Sequence, residues 1–192
     1  MTRLHLVRHG PTHAKTMVGW SDLPADLSDT AAIARLHSHL PKSAMIISSD
    51  LSRAVDTASA IQATRKRLPH HSDLREINFG AWELRGFADI EAEDPHLAFA
   101  YWDSPGDVRP PKGESWNDVR HRVDRAIDAL IQDYPAADIV VVVHFGVILT
   151  QVQRALDLDA QQAFAHRIDN LSVTDIGFDG TQWSVGKINH LP

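Results

Sequence analysis

"RLHLVRHGPTHAK" (Arg3–Lys15) is the stretch that decides how this chain is read. Leu4, Leu6 and Val7 form a short apolar run that stops at Arg8, His9 and Gly10, just ahead of Pro11. Gly10 and Pro11 forbid a simple continuation, so a strand over Arg3–Val7 is expected to end by presenting a cation, an imidazole and a flexible backbone at one point. A histidine there can serve as nucleophile, base, metal ligand or structural residue. A neighbouring arginine disfavours the imidazolium form and leaves a ring lone pair free, which suits attack on an anion. Taken alone, the tripeptide fits a structural Arg-His pair better than a catalytic one.

Working outward, the same plan of strand, loop and helix recurs. "DLSDTAAIARLHSHL" offers Ser28 or Asp29 as a helix N-cap, with Ile33, Leu36 and Leu40 at helical spacing and Pro41 beyond the end. "AMIIS" (44–48) reads as a strand, and the segment after it as a helix with Leu51, Ala54, Val55, Ala58 and Ile61 on one stripe, ending in a basic turn at Arg65–Arg67. "DPHLAFAYW" predicts a short helix and "DSPGDVRPPKGE" a loop. The strongest helix begins at Ser115, with Asp118 at the capping-box position and Trp116, Val119, Val123, Ile127, Leu130 and Ile131 on its apolar stripe. "DIVVVVHFG" is a β-branched run of the kind buried on both faces in parallel sheets, and it ends at a second histidine, His144. Helices follow over "VILTQVQRAL" and "AQQAFAHRI", and "LSVTDIGF" with "QWSVGKI" forms a closing hairpin. The fold class expected is α/β with a mixed, mostly parallel sheet. Ligands of such sheets gather beyond the carboxyl ends of the strands, where both histidines stand.

The 192 residues suit one domain spanning 1–192. A composition of 43% hydrophobic and 23% charged residues is that of an ordinary globular protein, and a formal charge of -6 argues against nucleic-acid or anionic-membrane partners. The absence of cysteine excludes disulfides, thiolate metal sites and a cysteine nucleophile. The opening "MTRLHLVRHG" lacks the apolar core of a signal peptide, and "IVVVV" (139–143) is too short to span a bilayer, so a cytoplasmic location is expected.

Two further segments carry chemistry. In "SSDLSRAVDTA", Arg53 sits in the first turn of a helix after a strand, where its guanidinium can reach the sheet edge that carries His9. In "LREINFGAWE", Glu76 adjoins Phe79, Gly80 and Trp82, a setting that can desolvate a carboxyl and hold it protonated; the plain alternative is an exposed glutamate paired with Arg75 or Arg85.

"LVRHGPT", "SSDLSRAVDTA", "LREINFGAWE", "PKGESWNDVRHRV" and "VVVVHFGVI", in this order, resemble the histidine phosphatase superfamily, in its phosphoglycerate mutase-like branch. The resemblance covers most of the chain. It implies a three-layer α/β/α sandwich and a phosphohistidine intermediate, with His9 as nucleophile, Arg8, Arg53 and His144 as phosphate ligands and Glu76 as proton donor. It extends to Gly10, Thr12, Lys15 and Phe145 as substrate-binding positions. Lys15 stands where many members have asparagine, Val18 where phosphatase members often have glutamine, and Phe145 where a small residue usually follows the second histidine. The segment at about 77–114 reads as a modest insertion over the active site, closer to the phosphatase members than to the larger mutases.

The expected function is a phosphatase for a small phosphomonoester, independent of metal and of any cofactor because basic residues take the metal's place, with a homodimer left open. A phosphomutase and a non-catalytic phospholigand-binding module are the alternatives. The twelve histidines suggest no metal cluster: His5, His9 and His13 would align only on a helix, and His37, His39, His70, His71, His96, His121 and His190 read as exposed side chains. His166 and Asn170 read as structural polar groups, and Trp82, Trp102 and Trp116 as a small satellite core, with pocket lining the lesser reading for Trp102.

Overall fold

The computed structural model describes residues 1–192. Its centre is β4 (Asp138–Val143), where Ile139 to Val143 are all 0% exposed. Ile139, Val141 and Val143 face one core cluster and Val140 and Val142 the other, as the two-residue period of a strand requires. Burial on both faces accounts for the unbroken apolar run.

β4 lies between β1 (Thr2–Arg8) and β2 (Met45–Ser48), parallel to both. A two-residue strand, β3 (Lys66–Arg67), extends the sheet parallel to β2. On the other side β5 (Val173–Phe178) runs antiparallel to β1 and forms a hairpin with β6 (Trp183–Val185), giving the order β3-β2-β4-β1-β5-β6. α1 (Thr30–His39) and α2 (Ser52–Gln62) cover one face, meeting the sheet through Leu36, Ala54, Ala58 and Ile61. α5 (Trp116–Asp133) and α6 (Phe145–Leu156) cover the other with Val119, Val123, Ile127, Val147 and Ile148. The result is the expected three-layer α/β/α arrangement.

The caps follow the sequence closely. The Asp29 side chain accepts from the Ala32 amide at the start of α1, and Ser115 with Asp118 completes a capping box on α5. One terminal expectation is corrected. The basic turn does not close α2, which stops at Gln62 with Ala63 at φ 46°, and Lys66–Arg67 is strand instead. Arg65, 3% exposed, still satisfies helix-end carbonyls: it donates to Ile61 O of α2 and to His37 O and Leu40 O at the end of α1.

The segment 77–114 contains a 3₁₀ turn (Gly80–Trp82), α3 (Phe87–Glu93), which was not anticipated, and α4 (Pro95–Asp103) with Asp94 as its cap. The tryptophans do not form a separate satellite. Trp82 and Trp116 belong to the same buried cluster as the sheet residues, and Trp102 packs against it through Tyr101 and Phe164. A short helix, α7 (Ala160–Phe164), and the loop after it lead into β5.

Candidate active site

The site forms where β1 and β4 end side by side. Arg8 is in register with Val143, so the next residues, His9 and His144, emerge at the same level, with ring centroids 5.0 Å apart. His9 is 7% exposed. Its Nδ1 lies 2.7 Å from Gly10 O, and because a carbonyl can only accept, Nδ1 carries the proton and Nε2 keeps the lone pair. Burial, then the charge of Arg53, and to a smaller extent that of Arg8, push the imidazole pKa down to about 3. His9 is therefore a neutral imidazole with a fixed tautomer.

Arg53, in the first turn of α2, is 1% exposed. Its Nε lies 3.3 Å from His9 Nε2, while Nη1 and Nη2 donate to Ser21 O (3.0 Å) and Gly19 O (2.6 Å). Arg8 approaches from the other side, its Nη1 donating to Ile168 O (2.6 Å) and its guanidinium 5.4 Å from the centre of the Phe145 ring. The Nε of Arg8 is buried without a partner, as is Nδ1 of His144. A buried donor such as Arg8 Nε is costly unless something completes it, and an anion would. His144 is fully buried, with Nε2 2.7 Å from Ser49 Oγ, and burial followed by the charges around it holds its pKa well below the usual histidine value.

Glu76 is 8% exposed and pairs with neither Arg75 nor Arg85, which bind Asp50 and Glu93 instead. Its carboxyl receives the Gly146 amide at the start of α6 (3.1 Å to each oxygen) and the Ile77 amide (3.0 Å). A Cβ on Gly146 would stand 2.5 Å from Glu76 Oε1, so glycine is required for this approach. Burial raises the Glu76 pKa, outweighing the two amides and the arginine charges that lower it.

Arg8, His9, Arg53 and Glu76 border a cavity of about 270 Å³, whereas His144, fully buried beside His9, does not line it. Those four line the cavity's polar end, Thr12 and Thr16 its rim, and Met17, Val18, Phe79, Trp102 and Phe145 an apolar wall. Trp102 thus takes the pocket position. Thr12 and Phe145 are brought to the cavity, whereas Lys15 is exposed outside it. Gly10 does not line the cavity either: the space at its Cα is filled by Leu27 and Asp26 O, and its carbonyl and amide bind His9 Nδ1 and Thr57 Oγ1. A larger cleft of about 400 Å³, bordered by His13, Asp26, Asp29 and Arg35, includes none of Arg8, His9, Arg53 and Glu76.

Two residues not anticipated as site components support this geometry. Asn170 Nδ2 donates to His9 O (2.8 Å), tying the strand end to the loop before β5. Arg122 is 7% exposed; it pairs with Glu114 through Nε and Nη2 and donates to the carbonyls of Asp73, Arg75 and Glu76, thereby fixing the backbone that carries the acid. Its position three residues after Val119, on the apolar stripe of α5, was a legible sign of burial. Asn170 is a structural polar group, as expected, but nothing in the sequence names His9 as its partner.

Residues 4–191 match the family model described as histidine phosphatase superfamily (branch 1). The chain belongs to the histidine phosphatase superfamily. Within it, the chain is 33% identical over 204 residues to a bifunctional protein of Mycobacterium tuberculosis, covering 98% of this chain and 54% of that protein. The chain thus spans about half the length of these first curated relatives. It is 29% identical to the "Probable phosphoglycerate mutase GpmB" of Shigella boydii, over 100% of this chain and 95% of that one. Its backbone matches the crystal structure of the α-ribazole phosphatase from Shigella flexneri with a TM-score of 0.86 at 26% identity, over 98% of this chain and 96% of that one. The phosphoglycerate mutase-like fold of this histidine phosphatase superfamily member is as expected.

Proposed function

We propose that the protein is a metal-independent phosphatase that hydrolyses a small phosphomonoester through a phosphohistidine on His9. The carrying observation is the neutral His9 ring, Nδ1–H bound to Gly10 O and Nε2 directed at a guanidinium beside a cavity. When a phosphomonoester enters, the Arg53 Nε–H transfers from the His9 lone pair to a phosphoryl oxygen. The lone pair then attacks phosphorus, and the bond from phosphorus to the leaving oxygen breaks. Protonated Glu76 gives its proton to that oxygen. In the second half-reaction Glu76, now a carboxylate, takes a proton from water as the water oxygen attacks phosphorus and the N–P bond breaks, which restores neutral His9. Arg8 and Arg53, together with His144, would carry the charge on the non-bridging oxygens, a role that magnesium fills in other phosphoryl-transfer sites.

A mutase reading would return the phosphoryl group to an acidic sugar-acid backbone. The cavity disfavours it, because Arg8 and Arg53 are the only cations that line it, its other polar residues are His9, Thr12, Thr16 and Glu76, and Lys15 stands outside. Its apolar wall favours a leaving alcohol with a flat or alicyclic apolar body. The test is phosphate release from aryl, alkyl, sugar and glycerate phosphates in the presence of chelator, comparing the wild type with His9→Ala. Turnover that persists in chelator, prefers apolar alcohols and vanishes in the variant is expected. Isomerised glycerate phosphate without net phosphate release would replace the phosphatase reading with the mutase.

A further inference from the structure

Glu83 does not line the cavity but is hydrogen-bonded to Phe79, which does, and no step above uses it. Its half-buried carboxylate accepts five hydrogen bonds, four of them from three consecutive residues: Gly19 N (3.1 Å), Ser21 N (3.1 Å) and Ser21 Oγ (2.6 Å) reach Oε2, and Trp20 N (2.7 Å) reaches Oε1. The fifth donor is Phe79 N, at 3.1 Å from Oε1. Burial opposes ionisation of Glu83, but these donors outweigh it and hold the carboxyl pKa below its ordinary value.

The other side of the same tripeptide faces Arg53. Gly19 O and Ser21 O accept from Nη2 and Nη1 of Arg53, whose Nε in turn meets His9 Nε2. The three amides and the two carbonyls belong to one short loop, so pulling the amides onto Glu83 fixes the spacing of the carbonyls. No side chain can separate the parts: a Cβ at Gly19 would stand 2.5 Å from Glu83 Oε1 and closer still to Ile77 O. Guanidinium hydrogen bonds depend on a planar fork meeting acceptors at fixed positions, which is what the two carbonyls supply.

We propose that Glu83 is a positioning residue for phosphoryl transfer, gathering the Gly19–Ser21 amides so that the loop's carbonyls hold the Arg53 guanidinium against His9 Nε2. The reaction part of this statement rests on His9 being the nucleophile; the positioning part does not. Glutamine is an incomplete substitute, because its NH₂ would face amide donors whichever way it turns. The loop is also joined to the insertion by Met17 N to Arg85 O and Leu84 N to Met17 O, so removal of the carboxylate leaves the chain attached and the fold intact.

The experiment follows the Arg53 Nε–H signal by ¹⁵N NMR, assigned by its loss in Arg53→Lys, together with kcat/KM for p-nitrophenyl phosphate. In Glu83→Ala the Arg53 signal should broaden or shift to that of a free arginine, with Glu83→Gln in between. The same change should lower kcat/KM by about 10-fold or more in the wild type and by less than about 2-fold in an Arg53→Ala background, the mark of two residues acting as one. An Arg53 signal unchanged in Glu83→Ala overturns the proposal, as does an equal kinetic loss in both backgrounds. If the wild type fails to turn over any phosphomonoester, the phosphatase reading falls, while the NMR comparison still decides whether Glu83 positions Arg53.

Discussion

Arg53 Nε stands 3.3 Å from His9 Nε2, so a cation, not an acid, occupies the lone pair of the buried imidazole. A carboxylate there would favour the imidazolium, whereas a guanidinium does the reverse; in the proposed reaction the guanidinium would shift onto the arriving phosphoryl group. Burial first, and then the Arg53 charge, keep the His9 ring neutral; under the proposed mechanism the second of these is also the group that would bind the substrate.

Replacement of Arg53 is accordingly expected to be severe. Losing one charge-assisted hydrogen bond costs about 1.5–3 kcal/mol, so Arg53→Ala should lower kcat/KM for p-nitrophenyl phosphate by at least about 10- to 150-fold. Arg53→Lys should recover little, since one ammonium cannot meet Gly19 O, Ser21 O and the phosphoryl group together. Steady-state kinetics of the two variants decide this; a lysine variant close to wild type would contradict it.

The pH dependence follows from opposite shifts. His9, with its pKa lowered to about 3, remains neutral through the mildly acidic range, so protonation of the nucleophile should cause no loss of kcat/KM between about pH 7 and pH 4.5. Glu76, shifted upward by burial, must be protonated to act as acid, so the rate with poor leaving groups falls as pH rises through its raised pKa. Glu76→Gln should remove that alkaline limb and cost about 10²- to 10⁴-fold with an alkyl phosphate, and much less with p-nitrophenyl phosphate. Equal losses on both substrates would show that Glu76 is not the acid.

Stability should carry a separate pH signature, at His5. Burial lowers its pKa, yet Asp175 (2.7 Å from Nδ1) and Asp138 (3.2 Å from Nε2) outweigh burial and leave it raised. A raised histidine contributes stability that is fully present below its unfolded value, about 6.5, and is lost as pH rises through the folded value. The Tm difference between wild type and His5→Gln should therefore be largest below pH 6 and shrink in the alkaline range. A difference independent of pH would mean that His5 is not charged in the folded protein.

Arg122→Met is expected to damage both stability and catalysis. It strands the Glu114 carboxylate and the carbonyls of Asp73, Arg75 and Glu76, and breaking a largely buried pair costs about 3–5 kcal/mol. Urea unfolding should show this loss as a lower midpoint, and the loosened Glu76 should reduce turnover of alkyl phosphates more than of p-nitrophenyl phosphate. An unchanged midpoint would contradict the structural role.

What was legible in the sequence is what local chemistry determines. Five consecutive buried β-branched or isoleucine positions announced β4, the Ser115–Asp118 capping box announced α5, and the two histidines at strand ends announced where the site lies. What was hidden depends on tertiary contact. α3, acidic and only seven residues long, has one buried side chain, Ile90, and is secured by contacts with α4 and by the pair Arg85–Glu93. Lys15 and Val18 lie three residues apart, yet only Val18 turns into the cavity. Gly10 is expected to bring the backbone to the substrate, but it lies against Leu27 and Asp26 O instead of the cavity. Asn170 reaches His9 O across 161 residues, a contact that no periodicity or capping rule encodes.

The most direct measurement is trapping of the phosphoenzyme. Wild type mixed with ³²P-labelled phosphomonoester in chelator and quenched in alkali should carry label on His9, stable to base and released by acid, and His9→Ala should carry none and turn over no substrate. Label on another residue, or turnover by His9→Ala, would contradict the account.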